Sequence, residues 1–194
     1  MVLEAINETH SDNDRFLPYW AERWPSNGPL LTYLSKRSIP RHALILELGC
    51  GLGIISAALS LQTGASVVAS DIAREGCRFA AYNIFANGGV PQVVCADWRH
   101  PPFKQRFDLI IASDVLYEER WIDPILDCIG ELLTQNGSAW IADPCRRFWN
   151  RFKQRTAQRG FLQRLLYRSS DDEGTTTVEI LELTKQPPPA SSCV

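Results

Sequence analysis

An apolar strand that leads through a glycine-rich turn into a helix is the feature that most constrains this fold. Residues 43–48 form a short apolar run, and Gly49, Gly51 and Gly53 follow it at alternate positions. Glycine permits unusual backbone dihedrals and lets a ligand approach the main chain. The free N–H groups of the following helix suit an anionic group. The segment therefore predicts a cofactor-binding turn at the end of a strand.

The rest of the chain alternates apolar runs with amphipathic segments. Strands are predicted near residues 43–48, 66–70, 92–95, 107–112 and 138–142. Helices are predicted over residues 53–61, 73–87, 119–133 and 146–158. Ser26 is predicted to cap an earlier helix, and Gly88 and Gly89 to end the helix over 73–87. This alternation predicts an α/β, Rossmann-like doubly wound sheet with right-handed crossovers.

Two late strands, near residues 162–167 and 175–183, are joined without a helix. They are therefore predicted to form a C-terminal hairpin, which puts one antiparallel strand into a seven-stranded, mostly parallel sheet. The length of 194 residues favours one domain. We expect an N-terminal arm over residues 1–16, the folded domain over 17–184 and a disordered tail over 185–194, which contains three consecutive prolines.

Composition excludes several function classes. The net charge of −2 gives no general attraction to nucleic acid or to anionic membranes. No apolar run approaches a membrane span, and the N-terminus lacks a signal or transit pattern, so we expect a cytoplasmic protein. We also expect a monomer rather than an oligomer. The six cysteines form no close C-x-x-C pair and the three histidines are scattered, so no metal site is predicted.

Acidic residues follow the next two predicted strands. Asp71 lies about twenty residues after the glycines, where a carboxylate can accept hydrogen bonds from ribose hydroxyls. Asp97 and Trp98 end the third strand, where they could contact the adenine amino group and ring. Singly, each has a structural alternative as a turn acid, a helix cap or a packing residue. Because parallel strands end at one edge of the sheet, together they predict a nucleotide-like cleft.

A nicotinamide cofactor is an alternative for this cleft. Residues 51–56 nearly match G-x-G-x-x-G/A, and Asp71 lies at a suitable distance for NAD. However, the motif ends in glycine or a small apolar residue, where this chain has Ser56. The remaining length is also too short for a second mononucleotide-binding half. An oxidoreductase is therefore a remote alternative, as is an inactive cofactor-fold protein that serves as an interaction module.

The segment from Glu47 to Gly53, with Asp71, resembles motif I and the following acid of class I S-adenosylmethionine-dependent methyltransferases. Trp24-Pro25, Asp97-Trp98 and Ser113-Asp114-Val-Leu-Tyr117 resemble the family 16 protein-lysine methyltransferases. The resemblance implies the cofactor S-adenosyl-L-methionine, with S-adenosyl-L-homocysteine as product. The cofactor-binding residues that it implies are Trp24, Glu47, Gly49, Gly51, Gly53, Asp71, Asp97, Trp98 and Ser113.

The same resemblance assigns the family's D-x-x-Y signature to Asp114 and Tyr117. Asp114 would orient the acceptor amine and Tyr117 would line its channel, although a helix cap and a core aromatic are the structural alternatives. Residues 18–21 and 142–146 are most similar to the group of this family that methylates the electron-transfer flavoprotein β-subunit. A protein lysine is therefore the predicted acceptor, with a small molecule or RNA as the alternative.

Six basic side chains follow between residues 146 and 159. Such a run is usually a solvated helix face, but it could also grip an acidic protein substrate. Both interpretations stay open from the sequence.

Overall fold

The computed structural model describes residues 18–62, 64–171 and 174–187. The predicted arm over 1–16 and most of the predicted tail, from residue 188, lie outside the described residues. Lys185 was predicted to begin that tail, but it closes the last strand and its Nζ donates a hydrogen bond to the Leu133 carbonyl at 2.6 Å. None of the described helices has both the length and the apolar character needed to cross a bilayer.

The described residues form seven strands and five α-helices, with no helix between β3 and β4 or between β6 and β7. The strands are β1 Leu44–Leu48, β2 Ser66–Asp71, β3 Val93–Cys95, β4 Phe107–Ser113, β5 Leu133–Asp143, β6 Phe161–Ser170 and β7 Thr177–Lys185. The helices are α1 Asn27–Leu34, α2 Ile54–Gln62, α3 Arg74–Ala86, α4 Ile122–Leu132 and α5 Trp149–Gln158. Short 3-10 turns occupy Pro18–Ala21 and Glu119–Trp121.

The strands form one sheet in the order β3-β2-β1-β4-β5-β7-β6. The pairs from β3 to β5 are parallel, and β7 runs antiparallel to both β5 and β6. The predicted doubly wound sheet with an antiparallel hairpin strand is therefore confirmed. The chain reverses its direction of winding between β1 and β4, which places the topological switch point at the carboxyl ends of these two strands.

Apolar residues face both sides of the sheet because helices cover both sides. In β4, Ile110 packs with α4 and α5, whereas its neighbour Ile111 packs with α1 and α2. In β1, Leu46 likewise lies in the core on the side of α4 and α5, and Ile45 lies in the core on the side of α1 and α2. Continuous apolar runs of this kind are typical of parallel strands that are buried on both faces.

Two helices begin three residues later than predicted. Helix α4 begins at Ile122 after the 3-10 turn, so Pro124 falls in its first turn, where a missing N–H costs nothing. Helix α5 begins at Trp149, not Arg146, because the Asp143 carboxylate accepts the Arg146 N–H at 2.8 Å and holds a turn before the helix.

Strand β5 is longer than predicted. It begins at Leu133, which pairs with Phe107, and the register then shifts before the regular pairing from Ser138 onward. The sequence did not predict this extension, because residues 134–137 are polar or glycine and do not continue the apolar run. The predicted cap at the end of α3 is confirmed, since Gly88 has φ +85° and the Gly89 N–H donates to the Ile84 carbonyl at 2.9 Å.

Candidate cofactor and acceptor site

A deep cleft opens at the carboxyl ends of β1 to β4. It contains about 1100 Å³ of empty space, including the part that is open to solvent. All but one of the predicted site residues line it; Gly53 is the exception, since it lies at the contact between α2 and α3. The predicted residues in the wall are Trp24, Glu47, Gly49, Gly51, Asp71, Asp97, Trp98, Ser113, Asp114 and Tyr117.

The glycine turn forms the floor of the cleft. Gly49 has φ +68°, and a Cβ there would lie 3.0 Å from Val115 Cγ1 and 3.5 Å from the Trp98 ring. Gly53 has φ +72°, and a Cβ there would lie 2.7 Å from the Ala80 Cβ. The first glycine thus keeps space between two cleft walls, and the second lets α3 approach the turn.

The 3-10 turn over Pro18–Ala21 lies on the glycine turn. The Trp20 carbonyl oxygen would be 3.0 Å from a Cβ at Gly51, and the Trp20 ring stacks on Phe79 at 5.3 Å between centroids. This contact explains the aromatic segment before Pro25, which is unusual for a surface loop. It also makes Tyr19 and Trp20 part of the cleft wall.

Glu47 stabilises the start of α2. Its Oε2 accepts the Ser56 N–H at 2.9 Å and also the Ser56 hydroxyl hydrogen bond. A carboxylate at this position satisfies free N–H groups at a helix N-terminus. Burial raises the pKa of Glu47 to about 7, against the lowering effect of the Ser56 hydrogen bonds.

Asp71 connects the end of β2 to the glycine turn. Its Oδ2 accepts the Gly51 N–H and its Oδ1 the Ala73 N–H, both at 2.8 Å. Burial raises the pKa of this carboxyl, and the two backbone hydrogen bonds oppose that rise. Each oxygen retains a further lone pair, so the carboxylate can still accept from a diol.

Aromatic side chains close the cleft beyond β3. The Trp98 and Trp121 ring centroids are 5.5 Å apart with an interplanar angle of 70°. Asp97 is held by Arg99, whose Nη2 donates to Asp97 Oδ2 at 2.6 Å. Burial opposes ionisation of Asp97, but the hydrogen bonds and charge of Arg99 outweigh it and lower the pKa of the carboxyl. Arg99 thus competes for the oxygens that we predicted to contact adenine.

Asp114 follows β4 with an unusual backbone conformation. Its φ of +59° lies in the left-handed region. Arg146 stabilises this conformation from two sides, since Nη1 donates to the Asp114 carbonyl at 3.0 Å and Nη2 to Oδ1 at 2.6 Å. The other carboxylate oxygen accepts the Ser26 N–H at 3.1 Å. Both oxygens of the predicted amine-orienting residue are therefore already engaged inside the protein.

Ser26 precedes α1, but its side chain does not cap that helix. Its backbone N–H donates a hydrogen bond to the Asp114 carboxylate, and its buried Oγ has no hydrogen-bond partner among the described residues. The predicted hydroxyl cap is therefore wrong, because the carboxylate after β4 determines how this turn is held. Asn27 extends the same link, since its Oδ1 accepts a hydrogen bond from the Ser113 hydroxyl at 3.2 Å.

Asp143 lies on the other side of Arg146. It is fully buried, and burial raises the pKa of its carboxyl to about 6, while the Arg146 N–H and charge act in the opposite direction. Arg146 Nη1 lies 3.7 Å from Asp143 Oδ2. One arginine thus joins the loops after β4 and β5 through two buried carboxylates.

Three aromatic rings surround the side of the cleft next to Asp114. The Tyr19 ring lies 5.5 Å from Tyr117 and 6.2 Å from Trp24, measured between centroids. The Trp24 Nε1–H donates to the Tyr19 carbonyl at 3.0 Å, and the Arg146 guanidinium lies 5.1 Å from the Trp24 ring. Such rings attract cations through their faces.

The basic residues of α5, and Arg159 directly after it, are paired with acids of this same chain. Arg151 contacts Glu119 at 2.7 Å, Arg155 contacts Asp123 at 2.7 Å, and Arg159 contacts Asp127. Lys153 contacts Glu179 on β7 at 3.2 Å. This surface consequently carries much less positive charge than the sequence of α5 indicates.

Comparison with known proteins identifies the family. Residues 21–168, which are well over half of the chain, match the family described as lysine methyltransferase. The chain belongs to the lysine methyltransferase family. This confirms the resemblance and the cofactor predicted from the sequence, S-adenosylmethionine.

The chain is similar in sequence to two curated methyltransferases with different named activities. It is 29% identical over 131 residues to the electron transfer flavoprotein beta subunit lysine methyltransferase of Danio rerio, covering 66% of this chain and 51% of that protein. It is 29% identical over 155 residues to the ubiquinone biosynthesis O-methyltransferase of Xylella fastidiosa, covering 70% and 60% respectively. The chain spans between half and two thirds of the length of these relatives.

The fold is also that of known methyltransferases. The ribosomal protein L11 methylase of Lactobacillus delbrueckii subsp. bulgaricus aligns with a TM-score of 0.68 at 18% identity, covering 84% of this chain and 81% of that one. The cleft fits S-adenosylmethionine. Space is kept open by the missing Cβ of Gly49, an acid lies at the end of β2, and Trp98 offers a ring beyond β3.

Sequence reasoning missed or misassigned four residues of the site. Asn27 and Trp121 carried no motif, and Tyr19 was noted only for its similarity to one group of the family. Arg146 was assigned to a basic helix face, although the Asp-Pro-x-Arg spacing after β5 was a signal that it returns to the strand ends.

Proposed function

We propose that this protein transfers a methyl group from S-adenosylmethionine to the side-chain nitrogen of a lysine in a protein. The family match carries the proposal, because it runs through both the glycine turn and the residues after β4. The relative that methylates the electron transfer flavoprotein beta subunit supports a protein acceptor. Because the α5 basic residues are paired internally, the proposal does not require an acidic substrate.

The bound cofactor would supply an activated methyl group on a positively charged sulfur. In the transfer, the lysine nitrogen lone pair would form the new C–N bond as the C–S bond breaks, and S-adenosylhomocysteine would leave. The protein therefore has to align the acceptor and exclude water. A free lysine has a pKa of about 10.4, so presenting the neutral amine at pH 7 costs about 4.6 kcal/mol.

The residues after β4 supply the acceptor side of this mechanism. Tyr19 and Tyr117 would receive the ammonium through cation–π contacts, and its proton would leave to solvent before transfer. Asp114 would act as a positioning residue, because Arg146 and the Ser26 N–H occupy its carboxylate. The pair fixes the segment that carries Tyr117.

The deciding experiment combines the purified protein with radiolabelled S-adenosylmethionine and either recombinant electron transfer flavoprotein beta subunit or a cell lysate. We expect label in protein and Nε-methyl-lysine by mass spectrometry. The Asp71→Ala variant, which removes the acid at the end of β2, is the inactive control. Label confined to RNA would refute the proposal.

A small-molecule acceptor is the second candidate, because the match to an O-methyltransferase of ubiquinone biosynthesis has the same identity over a longer stretch. Label that enters only the organic-soluble fraction of the lysate would favour this candidate over the protein acceptor.

A further inference from the structure

One buried polar atom in the wall of the cleft has no hydrogen-bond partner among the described residues. Trp121 is only 5% exposed, and no described residue accepts a hydrogen bond from its Nε1–H. Two other buried side-chain atoms lack a hydrogen-bond partner within the described ranges, Ser26 Oγ and Asp143 Oδ2, but neither residue lines the cleft. Trp121 does line it.

Three of the five other indole groups have a hydrogen-bond acceptor. The Nε1–H of Trp24 donates to the Tyr19 carbonyl at 3.0 Å, that of Trp140 to Glu182 Oε1 at 3.3 Å, and that of Trp149 to Glu179 Oε2 at 2.6 Å. Buried N–H groups in native proteins nearly always find an acceptor. An indole nitrogen can only donate, so the missing partner of Trp121 must be an acceptor.

The position of Trp121 indicates which part of a ligand would supply that acceptor. Its ring contacts Trp98 beyond β3, and the Arg120 and Arg99 guanidinium carbons lie 4.8 and 5.5 Å from its centroid. Phe103 and Pro101 line the same end of the cleft. Apart from Asp97, whose charge is paired with Arg99, the lining of this end is aromatic and apolar, which suits a flat heterocycle better than a charged amino acid or a diol.

We propose that Trp121 binds the adenine of the cofactor by donating a hydrogen bond from Nε1–H to a ring nitrogen. Adenine offers three such acceptors, N1, N3 and N7, and the ring would also stack against aromatic side chains. This inference rests on the proposed function only in requiring that S-adenosylmethionine occupies the cleft. It adds a specificity-determining contact that the glycine turn and the strand-end acids do not provide.

The first test is the affinity for S-adenosylhomocysteine, measured by titration calorimetry. Trp121→Phe keeps an aromatic ring but removes the donor, and we expect the affinity to fall about fivefold to tenfold. Trp149→Phe is the matched control, because Trp149 is equally buried but donates to Glu179 away from the cleft. It should lower the Tm of the free protein more than Trp121→Phe does, and leave the affinity unchanged.

The second test separates the hydrogen bond from a change in packing. Three analogues of S-adenosylhomocysteine, in which N1, N3 or N7 is replaced by CH, are titrated into both the wild type and Trp121→Phe. One analogue should lose about fivefold to tenfold more affinity with the wild type than with the variant. The proposal would be overturned if all three analogues lost as much affinity with the wild type as with the variant. It would also be overturned if Trp121→Phe bound S-adenosylhomocysteine with wild-type affinity.

A third readout needs no substitution. In the wild-type protein labelled with 15N in its six tryptophans, one indole proton should shift downfield and become protected from exchange when S-adenosylhomocysteine binds. The shift should be absent with one of the three analogues. A wild type that binds no S-adenosylhomocysteine would instead refute the proposed function itself.

Discussion

Arg146 and Asp114 lie in loops after neighbouring strands, β5 and β4, and form an ion pair with 2.6 Å between Nη2 and Oδ1. The Asp114 side chain is 1% exposed and the Arg146 side chain 21% exposed, so the pair is shielded from solvent. It lies directly behind the aromatic rings at the acceptor side of the cleft. The stability of the fold and the geometry of the site therefore depend on the same contact.

Removal of Arg146 should be costly. Arg146→Ala leaves the buried Asp114 carboxylate without its cation, and we expect the free energy of unfolding to fall by about 3 kcal/mol. Arg151→Ala is the control, because that pair with Glu119 is exposed, at 62% and 48%, and should cost less than about 1 kcal/mol. Urea denaturation measures both values. Similar costs for the two variants would contradict a shielded pair.

Tyr117 should affect the acceptor and not the cofactor. Tyr117→Ala removes a ring that contacts Tyr19, and we expect kcat/KM for the protein substrate to fall about tenfold. The affinity for S-adenosylhomocysteine should stay within about twofold. Tyr82→Ala, which changes an exposed tyrosine on α3 outside the cleft, should alter neither quantity. An equal loss of cofactor affinity in Tyr117→Ala would place this ring against the cofactor instead.

Gly53 should tolerate no side chain. Gly53→Ala combines a left-handed backbone with a contact of 2.7 Å to the Ala80 Cβ, so we expect a loss of about 3 kcal/mol in the free energy of unfolding. Gly64 has a similar φ of +61° but nothing within 4 Å of a Cβ. Gly64→Ala therefore measures the backbone strain alone and should cost about 1 kcal/mol. Thermal or urea unfolding gives the comparison, and equal losses would show that the contact with Ala80 is unimportant.

Glu47 should make stability depend on pH. Burial raises its pKa to about 7 from an ordinary 4.5, so the folded protein holds a proton that the unfolded chain has lost in this window. The folded state binds more protons, and its stability therefore falls as pH rises, by at most about 1.4 kcal/mol per pH unit. The difference in unfolding free energy between wild type and Glu47→Gln should fall between pH 4.5 and about 7 and then level off.

A second substitution checks the assignment to Glu47. The Ser56 hydrogen bonds lower the pKa of Glu47. Ser56→Ala removes the hydroxyl donor, so the upper end of the pH window should move to a higher pH. A difference between wild type and Glu47→Gln that rises with pH would mean that the carboxyl ionises more easily in the folded protein.

Local sequence features were sufficient to predict the fold and most of the cleft wall. Apolar runs and turn residues determine where strands and helices form, and parallel strands bring their carboxyl ends to one edge. Asp71, Asp97 and Trp98 could be placed together for this reason alone, whereas Ser113 was implied by the family resemblance. Boundaries were less predictable where a distant side chain controls them, as at the start of α5, which Asp143 delays by capturing the Arg146 N–H.

Only the tertiary structure decided how those residues are used. A motif names the residue type at a strand end but not the partner that reaches it from 32 or 88 residues away, as Arg146 and Ser26 reach Asp114. Hydrogen bonds and burial between distant segments depend on the whole packing arrangement, which periodicity does not encode. The sequence alone thus determined an α/β fold with a cofactor cleft. The packing assigned Asp114 to a buried network, placed Tyr19 beside Tyr117 and left the Trp121 N–H facing no described acceptor.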